Sequence, residues 1–384
     1  MSRVWVVGTA AVTAFGDNAD VLWGELLAGK TGIRPLSRFS TEGYKTNLAA
    51  CVPGLNSTGP GSLVNVLLDR LCKHLPPLPP DTLLIASTTK GGVDCLERVA
   101  RGLPTAPDDI PLPALGAALR RRLGLTTPGF TVSAACASGS IALGRGAQII
   151  ASGAATSVLV VAFDAVSEFI FSGFSALQAL ARDACMPFDR GRSGLTLGEG
   201  AAALLLMSPD RASGEGREPV GELLGWAASN DAVHITAPAR DSRGLIQAIR
   251  GALAHAGIEP GGVGAVSAHG TGTIYNDLME LNAFRAIFGE RHVPVYGVKG
   301  ALGHTLGAAG AIEVVIALRA LAEGVVPGTV GFKDPDPAAV GMVHSEPTPL
   351  RGHRLLLTNS GFGGVNAALV LGGRPHGPRA SVDG

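Results

Sequence analysis

The sequence predicts an α/β fold in which helices cover a mostly parallel sheet. Three observations carry that expectation. Apolar runs too short for helices alternate with longer stretches of helical period. Several of the short runs are apolar at successive positions, as in strands buried on both faces. The chain also sets 54 glycines in 384 residues against only three each of Trp and Tyr, a composition of tightly packed small residues joined by many turns.

Strand-like runs fall at 4–7, 82–86, 130–134, 158–163, 201–207, 263–268, 293–298, 354–358 and 367–371. A helix is expected from 137 to about 152, with Ile141, Leu143, Ala147, Ile149 and Ile150 available for burial. Another follows Asp241 and Ser242, placing Leu245, Ile246, Ile249, Leu253 and Ala256 on one stripe before Gly257 stops it and Pro260 follows. Two more run over 277–288 and 306–323. A weak internal echo suggests two related halves, each closing on a Gly-rich strand pair near 198–207 and 361–371. The expected division is 1–215 and 216–372, with a junction near 208–225 where Pro209, Gly214, Gly216 and Pro219 break the pattern. The stretches 75–80 and 102–113 read as surface connections and 373–384 as a loose tail.

Composition excludes several classes. The chain is 46% hydrophobic and 16% charged, unlike a disordered protein, and long enough to bury a sizeable core. Its 31 basic and 31 acidic residues cancel, so nothing points to nucleic acid or an anionic membrane as a partner. The densest basic cluster, Arg120-Arg121-Arg122, reads first as a solvated helix face and second as a docking patch for an acidic partner. The five cysteines, at 51, 72, 95, 136 and 185, form no CxxC pair, which argues against a zinc or disulfide framework and fits a reducing compartment. The N-terminal residues read as a short buried strand rather than a signal peptide, and no apolar run reaches the ~18 residues that span a bilayer. A cytoplasmic protein is expected.

Four glycine-marked segments carry the chemistry. In Val132-Ser133-Ala134-Ala135-Cys136-Ala137-Ser138-Gly139-Ser140 a strand-like run turns through a cysteine into a helix. A thiol at a helix N-terminus meets unpaired N–H groups and the positive end of the macrodipole, both of which favour thiolate. Ala268-His269-Gly270-Thr271-Gly272-Thr273 ends a buried strand and is followed by Asn276, Asp277 and Glu280. Lys299-Gly300-Ala301-Leu302-Gly303-His304 continues to Gly310, with Glu313 beyond, and the fourth segment is Asn359-Ser360-Gly361-Phe362-Gly363-Gly364-Val365-Asn366. Taken singly, a small-residue-flanked Cys or a strand-end His is more often structural. One Cys, two glycine-wrapped His and a Lys/Glu pair together suggest thiol chemistry on an acyl group, with imidazoles managing a developing negative charge.

Across almost the whole chain these segments resemble the motifs of the β-ketoacyl-acyl-carrier-protein synthases, the elongating condensing enzymes of the thiolase superfamily. The opening Val4-Trp5-Val6-Val7-Gly8, the run 27–33, and Pro187-Phe188-Asp189-Arg190-Gly191-Arg192-Ser193-Gly194 through Gly198-Glu199-Gly200 match family signatures as well. The resemblance implies a thiolase-like fold of two pseudo-repeated halves in five α-β-α-β-α layers. It implies that Cys136 is the nucleophile taking an acyl chain from a carrier protein's phosphopantetheine. By the same resemblance, His269 and His304 promote loss of CO₂ from a malonyl thioester and stabilise the enolate, while Lys299 and Glu313 pair beside them. A nearby cation would also disfavour imidazolium and keep both rings neutral. The Cys136 and Phe362 N–H groups would form the oxyanion hole. Thr271 and Thr273 would contact pantetheine and extender, with Gly363 and Gly364 in the substrate loop. Lys299–Glu313 also reads as a buried pair that only holds the fold. The resemblance implies no metal and no cofactor, an acyl carrier protein as partner, a two-fold homodimer, and a free-standing enzyme of specialised metabolism.

One segment departs from the family. The usual Asn-Ser-Phe-Gly-Phe-Gly-Gly-Thr-Asn lacks its first Phe here, and Val365 replaces the Thr, so the loop is one residue shorter. A shorter loop could widen the pocket, reposition Phe362 or be silent. Two other activities therefore stand beside elongation: intramolecular aldol or Claisen-type cyclisation of a carrier-tethered chain, and a non-catalytic chain-length factor, although such partners usually lack the nucleophile that this chain keeps.

Overall fold

The computed structural model describes residues 3–57 and 59–375; most of the stretch expected to be a loose tail, 376–384, lies outside the described residues. The first half contributes β1 (Val4–Val12), α1 (Leu63–Cys72), β2 (Leu83–Ser87), α2 (Leu112–Arg122), β3 (Phe130–Val132), α3 (Ser138–Ala151), β4 (Ser157–Asp164), α4 (Glu168–Ala176) and β5 (Gly200–Met207). The second contributes β6 (Gly221–Asn230), α5 (Arg243–Ala256), β7 (Ala265–Ser267), α6 (Ile274–Phe288), β8 (Val295–Tyr296), α7 (Ala309–Glu323), β9 (Arg354–Gly361) and β10 (Val365–Gly372).

The strands form one sheet in the order β8-β7-β9-β10-β6-β1-β5-β4-β2-β3. Counted within each half, the order from the outer edge inward is third, second, fourth, fifth, first, and the strand directions repeat as well. β2 is parallel to β3 and β4, as β7 is to β8 and β9. The closing pairs are antiparallel in both halves. A three-residue antiparallel contact, from Val4↔Leu223 to Val6↔Gly221, joins the two. The sheet is thus mixed, not mostly parallel as the alternating pattern suggested. In each half the last two strands are connected without a covering crossover helix that would return the chain in the same direction: β9 and β10 by a hairpin, β4 and β5 by a long loop-rich excursion.

The layers follow from burial. α1 and α2 cover the outer face of the first half through Leu67, Leu68, Leu115 and Leu119, packed with Leu84, Leu159 and Leu205. α5 and α6 cover the outer face of the second through Leu245, Ile249 and Phe284, packed with Val266, Leu356 and Val370. α3 and α7 lie between the halves and bury Leu143, Ala147, Ile150, Ala311, Val314 and Leu318 among strands of both. α7 is buried along most of its length, because it is covered on every side. β6 begins at Gly221, inside the stretch read from the sequence as a junction. Among the described residues, no helix is long and apolar enough to cross a membrane.

Candidate active site

The chemistry-bearing residues follow the C-terminal ends of parallel strands, where an α/β sheet leaves a crevice. β3 leads to Cys136, β7 to His269 and β8 to Lys299. The turn before Cys136 holds Ala135 at a φ of 48°, a left-handed conformation that costs a non-glycine residue energy and aims the next side chain out of the strand line. α3 and α7 then cross closely. A Cβ on Gly139 would lie 2.9 Å from the Ala311 nitrogen, and one on Gly310 would lie 2.7 Å from Asn359 Oδ1. Two glycines thus let the Cys136 helix approach the chain that carries His304 and Glu313.

The convergence is tight. The Cys136 sulfur and one ring nitrogen each of His269 and His304 all lie within 4.8 Å of one another. The two rings meet edge to face, centroids 5.1 Å apart. Lys299 and Glu313 form a buried ion pair at 2.6 Å behind them, and the Lys299 ammonium also donates to the His269 backbone carbonyl. Neither lines the cavity in front of the sulfur, so any effect of the pair on a bound group passes through its neighbours.

A backbone hydrogen bond assigns the proton on the His304 ring, and a side-chain amide faces the corresponding nitrogen of His269. The Leu306 backbone N–H donates to His304 Nδ1 at 3.2 Å. Asn359 Nδ2 faces His269 Nδ1 at 3.3 Å and donates to Glu313 Oε2 at 2.7 Å. A neutral imidazole that accepts at Nδ1 carries its proton on Nε2. Both rings are held neutral, well below the ordinary histidine range, first by burial and then by the Lys299 cation. The same pattern argues against a resident metal on this Cys/His/His trio. A ligating imidazole offers a lone pair toward the ion and gives its other N–H to an acceptor; here the groups behind both rings are donors.

The thiol departs from the sequence expectation. Burial pushes Cys136 up to about 11, although the Lys299 cation and the N–H groups of Phe362 and Cys136 itself pull the other way. Regular helix begins only at Ser138, and the loss of water around the sulfur outweighs the N-terminal field.

A cavity of about 370 Å³ opens onto the trio, lined among others by Phe174, Thr271, Thr273, Gly361, Phe362 and Gly364. Thr271 and Thr273 share a hydroxyl contact at 2.9 Å on its wall. Phe362 stacks on Phe174 with centroids 5.6 Å apart. Gly363 does not line the cavity. Its N–H donates to the Ile235 carbonyl and its α-carbon faces open space, because the turn directs it outward at a φ of 86°. The shortened loop is a hairpin with regular pairing as far as Gly361↔Val365, and the Phe362 N–H still favours the Cys136 thiolate.

Several residues behind the site were given no role from sequence. Asp164, wholly buried at the end of β4, accepts from the Thr88 and Thr89 hydroxyls and from the N–H groups of Thr89 and Gly307. It thereby ties the His304 turn to the first half. Glu280 accepts the His269 and Gly270 N–H groups at 2.7 Å each and, driven first by burial, is pushed up to about 7. A lone carboxylate closing an apolar strand was the available signal for Asp164. For Asn359 nothing in spacing marked the role.

A family model for the β-ketoacyl synthase N-terminal domain matches residues 114–212, and one for the β-ketoacyl synthase C-terminal domain matches 220–333. The chain belongs to the β-ketoacyl synthase family, and with it to the acyltransferases. It is 30% identical to a 3-oxoacyl-[acyl-carrier-protein] synthase 2 of Synechocystis sp., over 96% of this chain and 97% of that one. Among solved structures it resembles the ishigamide ketosynthase/chain length factor, with a TM-score of 0.90 and 30% identity over 97% of this chain and 100% of that chain. It also resembles a type II polyketide synthase ketosynthase bound to the hexaketide, in complex with its acyl-carrier protein. That match has a TM-score of 0.88 and 26% identity over 97% of this chain and 100% of that chain.

Proposed function

We propose that the chain catalyses decarboxylative Claisen condensation between an acyl group on Cys136 and a malonyl thioester borne on the phosphopantetheine of an acyl carrier protein. The observation that carries this reading is the pair of neutral imidazoles, each with a donor behind its Nδ1, beside a sulfur whose anionic form the Cys136 and Phe362 N–H groups favour. The site then has two separate oxyanion stations, one for an enolate and one for a tetrahedral adduct.

In the first step the Cys136 sulfur attacks the acyl thioester carbonyl. The oxyanion rests on the Cys136 and Phe362 N–H groups, the bond to pantetheine breaks, and the thiol proton ends on the departing pantetheine sulfur. The malonyl thioester next enters along Thr271 and Thr273. Its carbon–carboxylate bond breaks, CO₂ leaves, and the electron pair passes into an enolate whose oxygen accepts from Nε2–H of His269 and of His304. The enolate carbon attacks the acyl carbonyl, the carbon–sulfur bond to Cys136 breaks, and the departing thiolate takes one proton from water. A two-carbon-longer β-ketoacyl thioester is released. No step calls for a metal or organic cofactor. A carrier protein and a second copy of the chain complete the assembly in this reading.

Cys136→Ala should abolish acylation while malonyl thioester decarboxylation persists, because both imidazoles remain. Intact-protein mass spectrometry with carrier-bound acyl donors reads the first, and CO₂ release reads the second. Condensation by Cys136→Ala at the wild-type rate would overturn the assignment. A ring-closed product of unchanged mass, formed without extender, would assign cyclisation instead of elongation.

A further inference from the structure

We infer that Asn359 is a positioning residue that sets the tautomer of His269, and so determines whether this ring can donate a proton at all. Asn359 is fully buried and does not line the cavity, so any effect it has on bound substrate passes through its neighbours. Its amide has no freedom of orientation. The Ser140 hydroxyl donates to Oδ1, and the Glu313 carboxylate accepts from Nδ2 at 2.7 Å. Lys299, 2.6 Å from the other oxygen of Glu313, keeps that carboxylate an acceptor. The second Nδ2 proton is left facing His269 Nδ1 at 3.3 Å. An amide NH₂ cannot accept a hydrogen bond, so Nδ1 must hold a lone pair and the proton must sit on Nε2.

The two histidines are therefore fixed by different means. His304 is locked by a backbone N–H, that of Leu306, which no side-chain substitution other than proline removes. His269 is locked by a side chain at the end of a relay that begins on Ser140 of α3. Asn359 itself is held in register by its pairing with Ala367 in the hairpin β9–β10. The relay joins the helix of the nucleophile to the ring of the enolate station, and the Lys299–Glu313 pair gains a role beyond neutralising buried charge: it turns the amide.

Asn359→Asp is the near-isosteric test. It replaces the donor facing Nδ1 by an oxygen, which draws the ring proton to Nδ1 and strips Nε2 of its hydrogen. In ¹⁵N-histidine-labelled protein, long-range ¹H–¹⁵N correlation reads each tautomer directly, with His269→Gln assigning the signals. Wild-type His269 should be protonated at Nε2 only, and Asn359→Asp should move that proton to Nδ1 while His304 stays unchanged. The kinetic arm rests on the condensation reading: decarboxylation of a malonyl thioester should fall on the order of 100-fold, while alkylation of Cys136 by iodoacetamide stays within about threefold of wild type, as expected when one oxyanion donor is lost. A wild-type His269 protonated at Nδ1 would overturn the inference without recourse to any variant. So would an Asn359→Asp protein that keeps the Nε2 proton, or one that loses it and decarboxylates normally. A wild-type enzyme inert toward malonyl thioesters would sink the functional reading, and the tautomer measurement would still decide the lock.

Discussion

Replacing Gly361 by alanine tests whether the shortened hairpin works by bringing its backbone against the nucleophile. A Cβ there would lie 3.0 Å from the Ala135 Cβ and 3.0 Å from the Cys136 nitrogen, and 3.4 Å from the Ala134 carbonyl oxygen. Ordinary van der Waals contact begins at the last of these distances, so the strand must retreat by a few tenths of an ångström. Neither neighbour can give way, since one is backbone and the other belongs to the strained turn at Ala135. Overpacking of this kind costs about 1–3 kcal/mol. The functional cost is separable from it, because the retreat carries the Phe362 N–H away from the sulfur. Complete loss of one oxyanion donor costs about 10²–10³ in rate, so a partial withdrawal should cost about 10-fold or somewhat more. The assay is the single-turnover rate of Cys136 acylation by a carrier-bound acyl thioester, set beside the rate of malonyl decarboxylation. Acylation should fall by about 10–100-fold and decarboxylation by less than about threefold, because the enolate station does not use the Phe362 N–H. Equal losses in both steps, or none in either, would refute the reasoning.

Two further outcomes follow from the buried charges. With the thiol pushed up to about 11, the thiolate fraction of Cys136 should climb about tenfold per pH unit from neutrality to about pH 10, and its alkylation rate with it; a plateau below pH 8 would contradict the burial argument. Lys299→Met should cost about 3–5 kcal/mol on denaturant unfolding, because Glu313 is left buried and unpaired. Lys299→Met/Glu313→Gln should recover most of that stability yet remain slow in decarboxylation, which separates the fold-holding role of the pair from its role behind His269; full recovery of both would leave the pair purely structural.

How much was legible varied with the physics of each residue. Cys136, His269, His304 and the Lys299/Glu313 pair stood out because each lies in or just beyond a run whose glycines serve no strand or helix well, and such runs mark close backbone approach. α5 could be read end to end, since its apolar stripe and the left-handed Gly257 are local properties. The direction of β5 and β10 could not, because direction depends on how a connection returns through space. The behaviour of the thiol was misjudged for a related reason: a helix N-terminus can be read from sequence, whereas the removal of water from around a sulfur cannot. Gly363 was placed on the substrate side by its motif and faces away from it, because the direction a turn takes depends on the strands that enter it.

By itself, then, the sequence determined the alternation of strands and helices, the echo between two halves and the candidate reacting groups, all carried by periodicity and by local motifs. Tertiary structure alone decided that these groups meet within a few ångströms, that donors from Leu306 and Asn359 set both ring protons, and that Asp164 ties the His304 turn to the opposite half. Most of those features belong to residues far apart in the chain, 90 positions for Asn359 and His269 and 143 for Asp164 and Gly307, although Leu306 is next but one to His304. The strength of a buried hydrogen bond or charge depends on what surrounds it in space, and neighbours along the chain do not report that.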